Sequence, residues 1–201
     1  MAEFRDADKH ANDMEDLAQS IADQVASFLL AVRELASAGD SSRAVSLLLL
    51  EVSQLLLAGA RLAAQIDFVP LDAFEPDTGP DPDLDRIRES LAHKLDGVDD
   101  YHEMFDPYAL PPTPIHSRIS DDVSAIAGSV AHGLAHHRAG RVEEALWWWQ
   151  FSYVSSWGAE ASSVLRALQS IVAHDRLDTD SDTAELEAVA IAEAITTSRP
   201  D

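Results

Sequence analysis

The stretch from Glu143 to Ile171 constrains the fold most strongly, because it contains every tryptophan in the chain. At about 100° per residue, its apolar side chains fall in one wide stripe. The stripe consists of Leu146, Trp149, Tyr153, Trp157, Val164, Leu168 and Ile171. A helix that is apolar over so wide an arc packs against more than one neighbour. The pattern therefore predicts a central helix in a helical bundle.

The remaining periodicity also favours helices. Apolar residues step by three and four from Met14 to Leu35, after a plausible N-cap at Asp13, and again from Val45 to Ile66, in a second helix predicted to begin at Ser41. The second helix is apolar around most of its circumference, so we expect it to be internal, with a close helix crossing at Gly59. A short helix is predicted over 84–95 and a fourth long one from Ser117 to a stop at Gly140. The sequence thus predicts an all-α bundle of about five or six helices, with antiparallel hairpins and two proline-rich connections.

Proline density sets the expected domain organisation. Residues 1–177 are predicted to form a single bundle domain in which 67–83 and 101–116 are proline-rich loops, and residues 1–12 are expected to fray. The second loop could plug one end of the bundle or act as a lid over a pocket. Residues 178–201 are predicted to be an acidic tail containing a separate, loosely docked helix with a capping box at Asp182.

Charge and composition exclude several classes of protein. The net charge of −22 argues against binding to a phosphate backbone or to anionic membranes. Solubility explains this charge most simply; a basic protein partner and nucleic-acid mimicry are the alternatives. The absence of cysteine excludes disulfides and thiolate metal sites. Without an apolar signal sequence or a membrane-length apolar run, the expected location is cytoplasmic.

Residues 101–168 resemble a bacterial family known as domain of unknown function family 5063. The motifs that carry the resemblance are Tyr101, Phe105-Asp106-Pro107-Tyr108, Ser120-Asp121-Asp122, Gly133-Leu134, Ala139-Gly140-Arg141, Ala145-Leu146-Trp147, Trp157-Gly158 and Leu165-Arg166-Ala167-Leu168. In that family a histidine often stands two residues after the Trp-Gly, where this chain has Glu160. The resemblance implies a compact helical protein and no particular activity.

The fourth helix carries the side chains best suited to metal binding or acid–base chemistry. Asp122, Ser129 and His136 recur at seven-residue intervals beside the apolar stripe. A histidine and a carboxylate across a helix pair can form a metal site or an acid–base pair. No sharp metal or nucleophile motif accompanies them, and histidines near a helix C-terminus are also favoured by the helix dipole. The sequence therefore assigns no catalytic residue, metal or cofactor.

Glu160 is the one carboxylate within the main apolar stripe. Burial disfavours its charged form, so it must be paired, hydrogen-bonded or protonated. The candidate partners are Arg166, a tryptophan N–H, His137 and Arg138. Glu160 could be a satisfied buried group, a ligand contact lining a pocket, or a catalytic acid or base.

Two functional hypotheses follow. The first is a non-enzymatic cytoplasmic interaction or regulatory module with an unknown protein partner, a homodimer included; Trp148, which faces away from the main stripe, is its candidate contact. The second is an enzyme or a protein that binds a small ligand or metal between the fourth and fifth helices. That pocket would be lined by Asp122, Ser129, His136, Trp149, Tyr153 and Glu160.

Overall fold

The computed structural model describes residues 2–38, 43–70, 76–80, 82–104, 108–111 and 113–197; for 2–11 and 178–197 it describes the helical backbone alone. The elements within these residues are α1 (Ala2–Ser37), α2 (Ala44–Ala63), α3 (Asp85–Lys94), β1 (Asp100–Met104), β2 (Pro114–Arg118), α4 (Ile119–Arg138), α5 (Val142–Ser152), a π-helical turn (Tyr153–Trp157) and α6 (Gly158–Thr197). The predicted helical bundle is confirmed, and a small two-stranded sheet, which the all-α prediction did not include, accompanies it.

The core of the bundle lies where α1, α2, α4, α5 and α6 meet. Trp149 and Trp157 fill its centre and are fully buried, together with Phe28 from α1. The predicted stripe of α4 is buried along its whole length, from Ile119 to Leu134. Burial of such large apolar side chains is the dominant stabilising term in a bundle of this kind.

Helix α1 begins earlier than predicted. It runs without interruption from Ala2, so residues 2–12 are helical and Asp13 lies inside the helix instead of capping it. The cause is local composition: neither glycine nor proline occurs between Ala2 and Ser37. Nothing in the chain therefore stops the helix at the point where its apolar stripe begins.

Helix α2 packs closely against the aromatic segment at one glycine. A Cβ atom on Gly59 would lie 2.3 Å from the ring of Tyr153 and 2.7 Å from that of Trp157. The predicted close helix crossing at this residue is therefore present. The expectation that α2 is internal is wrong for one of its faces, because Leu50 and Leu57 are more than half exposed.

Among the described residues, α2 is the one helix that is long and apolar enough to cross a membrane, judged by length and composition alone. Core helices of water-soluble bundles pass the same test. Its buried side chains, among them Leu48, Val52 and Leu55, pack in the core of the bundle.

The predicted loop over 101–116 contains a β-hairpin. Strands β1 and β2 pair antiparallel, with Tyr101 opposite Ser117 and Glu103 opposite Ile115. The sequence DYHEM alternates half-buried and exposed side chains, which is the pattern of a strand with one covered face. The prolines of this passage lie outside β1, so they do not prevent its pairing.

The predicted continuous helix over 143–171 is interrupted by the π-helical turn Tyr153–Trp157. Gly158 follows directly, and a Cβ there would lie 2.4 Å from the backbone oxygen of Tyr153. Helix α6 then continues as one helix to Thr197. The tail is therefore helical as expected, but it is not a separate helix, and Asp182 does not begin one.

Candidate functional site

A cavity lies between β1 and one face of α6. Its volume is about 830 Å³. Its lining comprises Val98, Asp100, Tyr101, His102, Glu103 and Met104 from the hairpin side, and Ser162, Ser163, Arg166, Ala167, Ser170, Ile171, His174 and Asp175 from α6. We call this cavity the β1–α6 cleft. The cleft is the space that remains between the hairpin and α6.

Asp99 fixes the base of the hairpin to the start of α4. Its buried carboxylate accepts hydrogen bonds of 2.8 Å from the backbone N–H of Ser120 and 2.7 Å from the Ser120 hydroxyl. The guanidinium of Arg118 forms a 2.9 Å ion pair with the same carboxylate. A carboxylate at a helix N-terminus also interacts favourably with the helix dipole. Asp99 therefore holds the position of both strands relative to α4.

Tyr101 connects the middle of β1 to α4. Its hydroxyl donates a 2.7 Å hydrogen bond to Oδ2 of Asp122. Burial, and then the hydrogen bond to Asp122, raise the pKa of the Tyr101 phenol far above its ordinary value, so the phenol remains protonated. Burial also raises the pKa of Asp122, and the bond from Tyr101 partly offsets that increase. The pair consists of a neutral donor and a desolvated carboxyl.

Glu160 lies near this pair and lacks a donor. Its Oε2 atom is buried without a hydrogen-bond partner among the described residues. Two of the expected partners bond elsewhere: the Arg166 guanidinium reaches Gln169 at 3.5 Å, and the Trp149 N–H donates to the carbonyl of Val130. Burial, and then the negative charges of Asp122 and Glu103, raise the pKa of Glu160.

The side of the cleft formed by β1 is therefore acidic. Glu103 lines the cleft and accepts a 2.9 Å hydrogen bond from the hydroxyl of Ser117. Its charge raises the pKa of both Asp122 and Glu160. These three carboxylates do not form a metal site, since no group of three or more potential ligands is spaced to hold an ion within the described residues.

The α6 side of the cleft combines three serine hydroxyls, the guanidinium of Arg166, the imidazole of His174, the carboxylate of Asp175 and two apolar side chains. Arg166 is exposed, and no described carboxylate forms a salt bridge with it. Ala167 and Ile171 provide the apolar part of this wall. Residues at intervals of three and four lie on one face of a helix, which explains why this set lines a single cavity.

The six residues predicted to line one pocket do not do so. None of them lines the β1–α6 cleft; Asp122 and Glu160 interact with its lining residues Tyr101 and Glu103. The other four are engaged in packing: Ser129, His136, Trp149 and Tyr153.

The expected location between the fourth and fifth helices is filled by Trp149. Its N–H donates a 3.0 Å hydrogen bond to the carbonyl of Val130. A Cβ on Gly133 would lie 2.3 Å from its indole nitrogen. The indole thus occupies the space that the glycine leaves, and a ligand cannot share it.

Trp148 contacts α4 instead of standing free. Its N–H donates a 2.8 Å hydrogen bond to the carbonyl of Ser129. Its ring lies 4.3 Å from that of His132, centroid to centroid. The half-buried indole therefore packs against α4 within the bundle. That Trp148 also contacts a partner protein remains a prediction.

Sequence reasoning missed the residues that line the cleft. On α6 the signal was a polar strip that includes Ser162, Arg166 and Ser170, spaced by four residues. On the hairpin the signal was the alternation in DYHEM. Neither pattern indicates a site by itself, because the cleft depends on the position of the hairpin beside α6, and that position is set by tertiary packing.

A second, smaller cavity of about 430 Å³ lies between the early part of α1 and the segment after α2. Met14, Leu17, Phe68 and Glu143 are among its lining residues. It contains none of the carboxylates of raised pKa, and it serves below as a reference site for binding experiments.

Fold and cleft together define a helical bundle with a cleft between a β-hairpin and a long helix. The chain belongs to the domain of unknown function family DUF5063, whose profile matches residues 12–174. The resemblance seen in the sequence is thus confirmed. No curated protein matches the chain.

The chain is also similar to a solved structure, that of protein BF1032 from Bacteroides fragilis. The TM-score is 0.61 at 21% sequence identity, over 75% of this chain and 89% of that one. At that identity the likeness shows a shared fold.

Proposed function

We propose that this chain is a non-enzymatic cytoplasmic binding module whose ligand occupies the β1–α6 cleft. The observation that carries the proposal is the cleft itself, with a volume of about 830 Å³. Ligand sites in proteins typically measure about 300–1,000 Å³ and combine apolar walls with a few polar groups. Val98, Met104 and Ile171 supply the apolar surface, while Glu103 and Arg166 supply charges of opposite sign.

Two observations favour binding over catalysis. The phenol of Tyr101 is held protonated by burial and by Asp122, as the raised pKa indicates, so it is a poor base. Asp122 is occupied in accepting the hydrogen bond from Tyr101. These groups position β1 and are not available to a substrate.

A blocking substitution tests the proposal. Ala167 lines the cleft, whereas Ala173 is exposed on the same helix and does not line it. Thermal-shift screens with a metabolite library and a peptide library should yield ligands that stabilise both the wild-type protein and Ala173→Trp. Those ligands should not stabilise Ala167→Trp. If no compound binds, or if Ala167→Trp binds as well as the wild type, the proposal is wrong.

An acid–base enzyme is the competing function, and Glu160 is the observation that favours it. A buried carboxyl whose pKa is raised by burial and by neighbouring charges is characteristic of catalytic acids and bases. Under this alternative, ligands found in the screen would be chemically changed on incubation with the wild-type protein and unchanged with Glu160→Gln. Mass spectrometry of the recovered ligands distinguishes the two functions.

A further inference from the structure

The backbone of β1 has a pairing edge that points away from β2. In an antiparallel pair, residues alternate between those bonded to the partner strand and those whose N–H and C=O point outward. The backbone N–H of Ile119 donates a 2.9 Å hydrogen bond to the carbonyl of Asp99, which makes Asp99 and Ile119 a bonded pair in the register of the hairpin. The outward-pointing residues of β1 are therefore Asp100, His102 and Met104.

The position of Pro114 agrees with this assignment. Pro114 lies opposite Met104, so it belongs to an outward-pointing pair and needs no N–H for the hairpin. Proline is tolerated in a strand at such a position and not at a bonded one. Within the described residues, the outward N–H and C=O groups of Asp100, His102 and Met104 therefore form no hydrogen bond to another backbone segment.

The outward edge of β1 borders the β1–α6 cleft. All five residues of β1 line the cleft, on both faces of the strand. No residue of β2 lines it. A cavity beneath the hairpin would be expected to contact both strands. A cavity along the free edge of β1 contacts only that strand, as observed. Unpaired N–H and C=O groups on a strand edge are a template for another strand.

The cleft has the dimensions of a short extended peptide. From Ser162 to Asp175 its α6 wall spans about 20 Å, at roughly 1.5 Å per residue. An extended chain advances by about 3.3 Å per residue, so about six residues fit along that length. Pairing of a peptide with a sheet edge, with specificity supplied by alternate side chains, is a recurrent mode of peptide recognition.

The charges of the lining favour a basic peptide. Asp100, Glu103 and Asp175 contribute three carboxylates to the lining, and Arg166 is its single guanidinium; Asp100 also lies 3.9 Å from the guanidinium of Arg118, outside the lining. The charge of Glu103 reaches the neighbouring Asp122 and Glu160, where it raises the pKa of each carboxyl, so a cationic side chain would be stabilised at this end of the cleft. Complementary charge both steers a ligand to a site and selects it over ligands of the wrong sign.

We infer that the β1–α6 cleft binds an extended basic peptide segment of a partner protein, which pairs as a third strand with the free edge of β1. The inference rests on the proposed function and adds the chemical class of the ligand. Asp100, His102 and Met104 bond the peptide backbone, and Glu103 receives its cationic side chains. The exposed face of α6 around Ala167 covers the opposite side of the peptide.

The experiment removes one outward N–H from each strand. His102 and His116 are cross-strand partners in an outward-pointing pair, so proline at either position leaves the hydrogen bonds of the hairpin in place. Only the N–H of His102 faces the cleft. His102→Pro is the test, His116→Pro the matched control, and His102→Ala the control for loss of the side chain.

The probe is the fluorescein-labelled hexapeptide Val-Lys-Val-Lys-Val-Lys, with Val-Glu-Val-Glu-Val-Glu as its acidic counterpart. Binding is measured by fluorescence anisotropy at low salt, and the amide hydrogen exchange of β1 is followed in parallel. We expect the basic peptide to bind the wild-type protein and His116→Pro with similar affinity and to slow exchange at His102. His102→Pro should bind it about tenfold more weakly than His102→Ala, as expected for loss of one well-made hydrogen bond beyond any effect of the side chain.

Several results would overturn the inference. Equal losses in His102→Pro and His116→Pro would mean that the edge is not the site of pairing. Tighter binding of the acidic peptide would refute the charge argument, and a homodimer that His102→Pro dissociates in sedimentation would assign the edge to a second copy. Metabolites that bind in the screen while neither peptide does would refute the peptide and leave the proposed function standing. If no ligand of either kind binds, both fail.

Discussion

The hydroxyl of Tyr101 donates a 2.7 Å hydrogen bond to Oδ2 of Asp122, and this bond fastens the middle of β1 to α4. Because β1 forms one wall of the β1–α6 cleft, the bond also sets the position of that wall. A sheet of two strands is marginally stable by itself. The hairpin therefore depends on this bond and on the buried Asp99 carboxylate for its place beside α6.

Removing the Tyr101 hydroxyl should loosen the hairpin. Tyr101→Phe keeps the ring and loses the bond to Asp122, so we expect the free energy of unfolding to fall by about 1–2 kcal/mol and amide exchange in β1 to accelerate. Tyr153→Phe is the control, because no described hydrogen bond involves the hydroxyl of Tyr153 while its ring packs against Trp157. Urea denaturation should separate the two variants; equal stabilities would show that the bond to Asp122 contributes nothing.

Stability should depend on pH through Glu160. Burial, and then the charges of Asp122 and Glu103, raise the pKa of Glu160 in the folded state, so between its unfolded and folded pKa values the folded protein binds more protons. The free energy of unfolding therefore falls as pH rises through that window. Glu160→Gln has no such charge, so it should be more stable than the wild type at pH 7 and lose this advantage on acidification.

The control for this experiment is Glu34→Gln, at an exposed position on α1. Urea denaturation at a series of pH values should show a steeper decline for the wild type and Glu34→Gln than for Glu160→Gln. Parallel curves for the wild type and Glu160→Gln would show that the pKa of Glu160 is not raised on folding, and a wild-type stability that rises with pH relative to Glu160→Gln would show that Glu160 is paired with a cation.

Two glycines should respond to alanine in opposite directions. At Gly59 the new Cβ would overlap the Tyr153 ring, so we expect Gly59→Ala to destabilise the protein by about 1–3 kcal/mol. At Gly128 the nearest atom lies 3.5 Å away on Leu84, an ordinary contact. Gly128→Ala should therefore stabilise helix α4 by roughly 0.5–1 kcal/mol. Thermal unfolding of both variants checks the pair, and stabilisation by Gly59→Ala would contradict the close crossing.

Trp148 should matter for folding, because its N–H bonds the Ser129 carbonyl. Trp148→Phe should cost about 1 kcal/mol more than Trp147→Phe, since it removes that hydrogen bond. The ring of Trp147 stacks on Phe151, and no described hydrogen bond involves its N–H. If chemical denaturation shows the same loss of unfolding free energy in both variants, the hydrogen bond of Trp148 does not stabilise the fold, and the interpretation of Trp148 as a contact for a partner protein is favoured.

The sequence predicted the parts of the fold that depend on periodicity. The buried stripe of α4, the close approach at Gly59 and the central position of Trp149 all follow from spacing along one helix. Periodicity could not locate the interruption after Ser152, because a π-helical turn adds little to the pattern of apolar residues. It also placed helix starts at Asp13 and Asp182, where capping residues occur inside longer helices.

The site was harder to predict than the fold. The sequence singled out Glu160 as a carboxyl that burial would disturb, and in the structure burial and then the charge of Asp122 raise its pKa. The cleft beside them depends on a hairpin whose strands lie among prolines, where local composition argues for a loop. The expected pocket was instead filled by Trp149, since a projection of one helix cannot show which neighbour occupies its surface.

The most direct test of the central claim is to map the bound ligand on the ¹⁵N-labelled protein. On titration with the hexapeptide Val-Lys-Val-Lys-Val-Lys, or with a metabolite from the screen, amide shifts should concentrate in residues 98–104 and 162–175, which contain the lining of the β1–α6 cleft. Shifts that instead concentrate around Met14 and Phe68, at the second cavity, would contradict the claim.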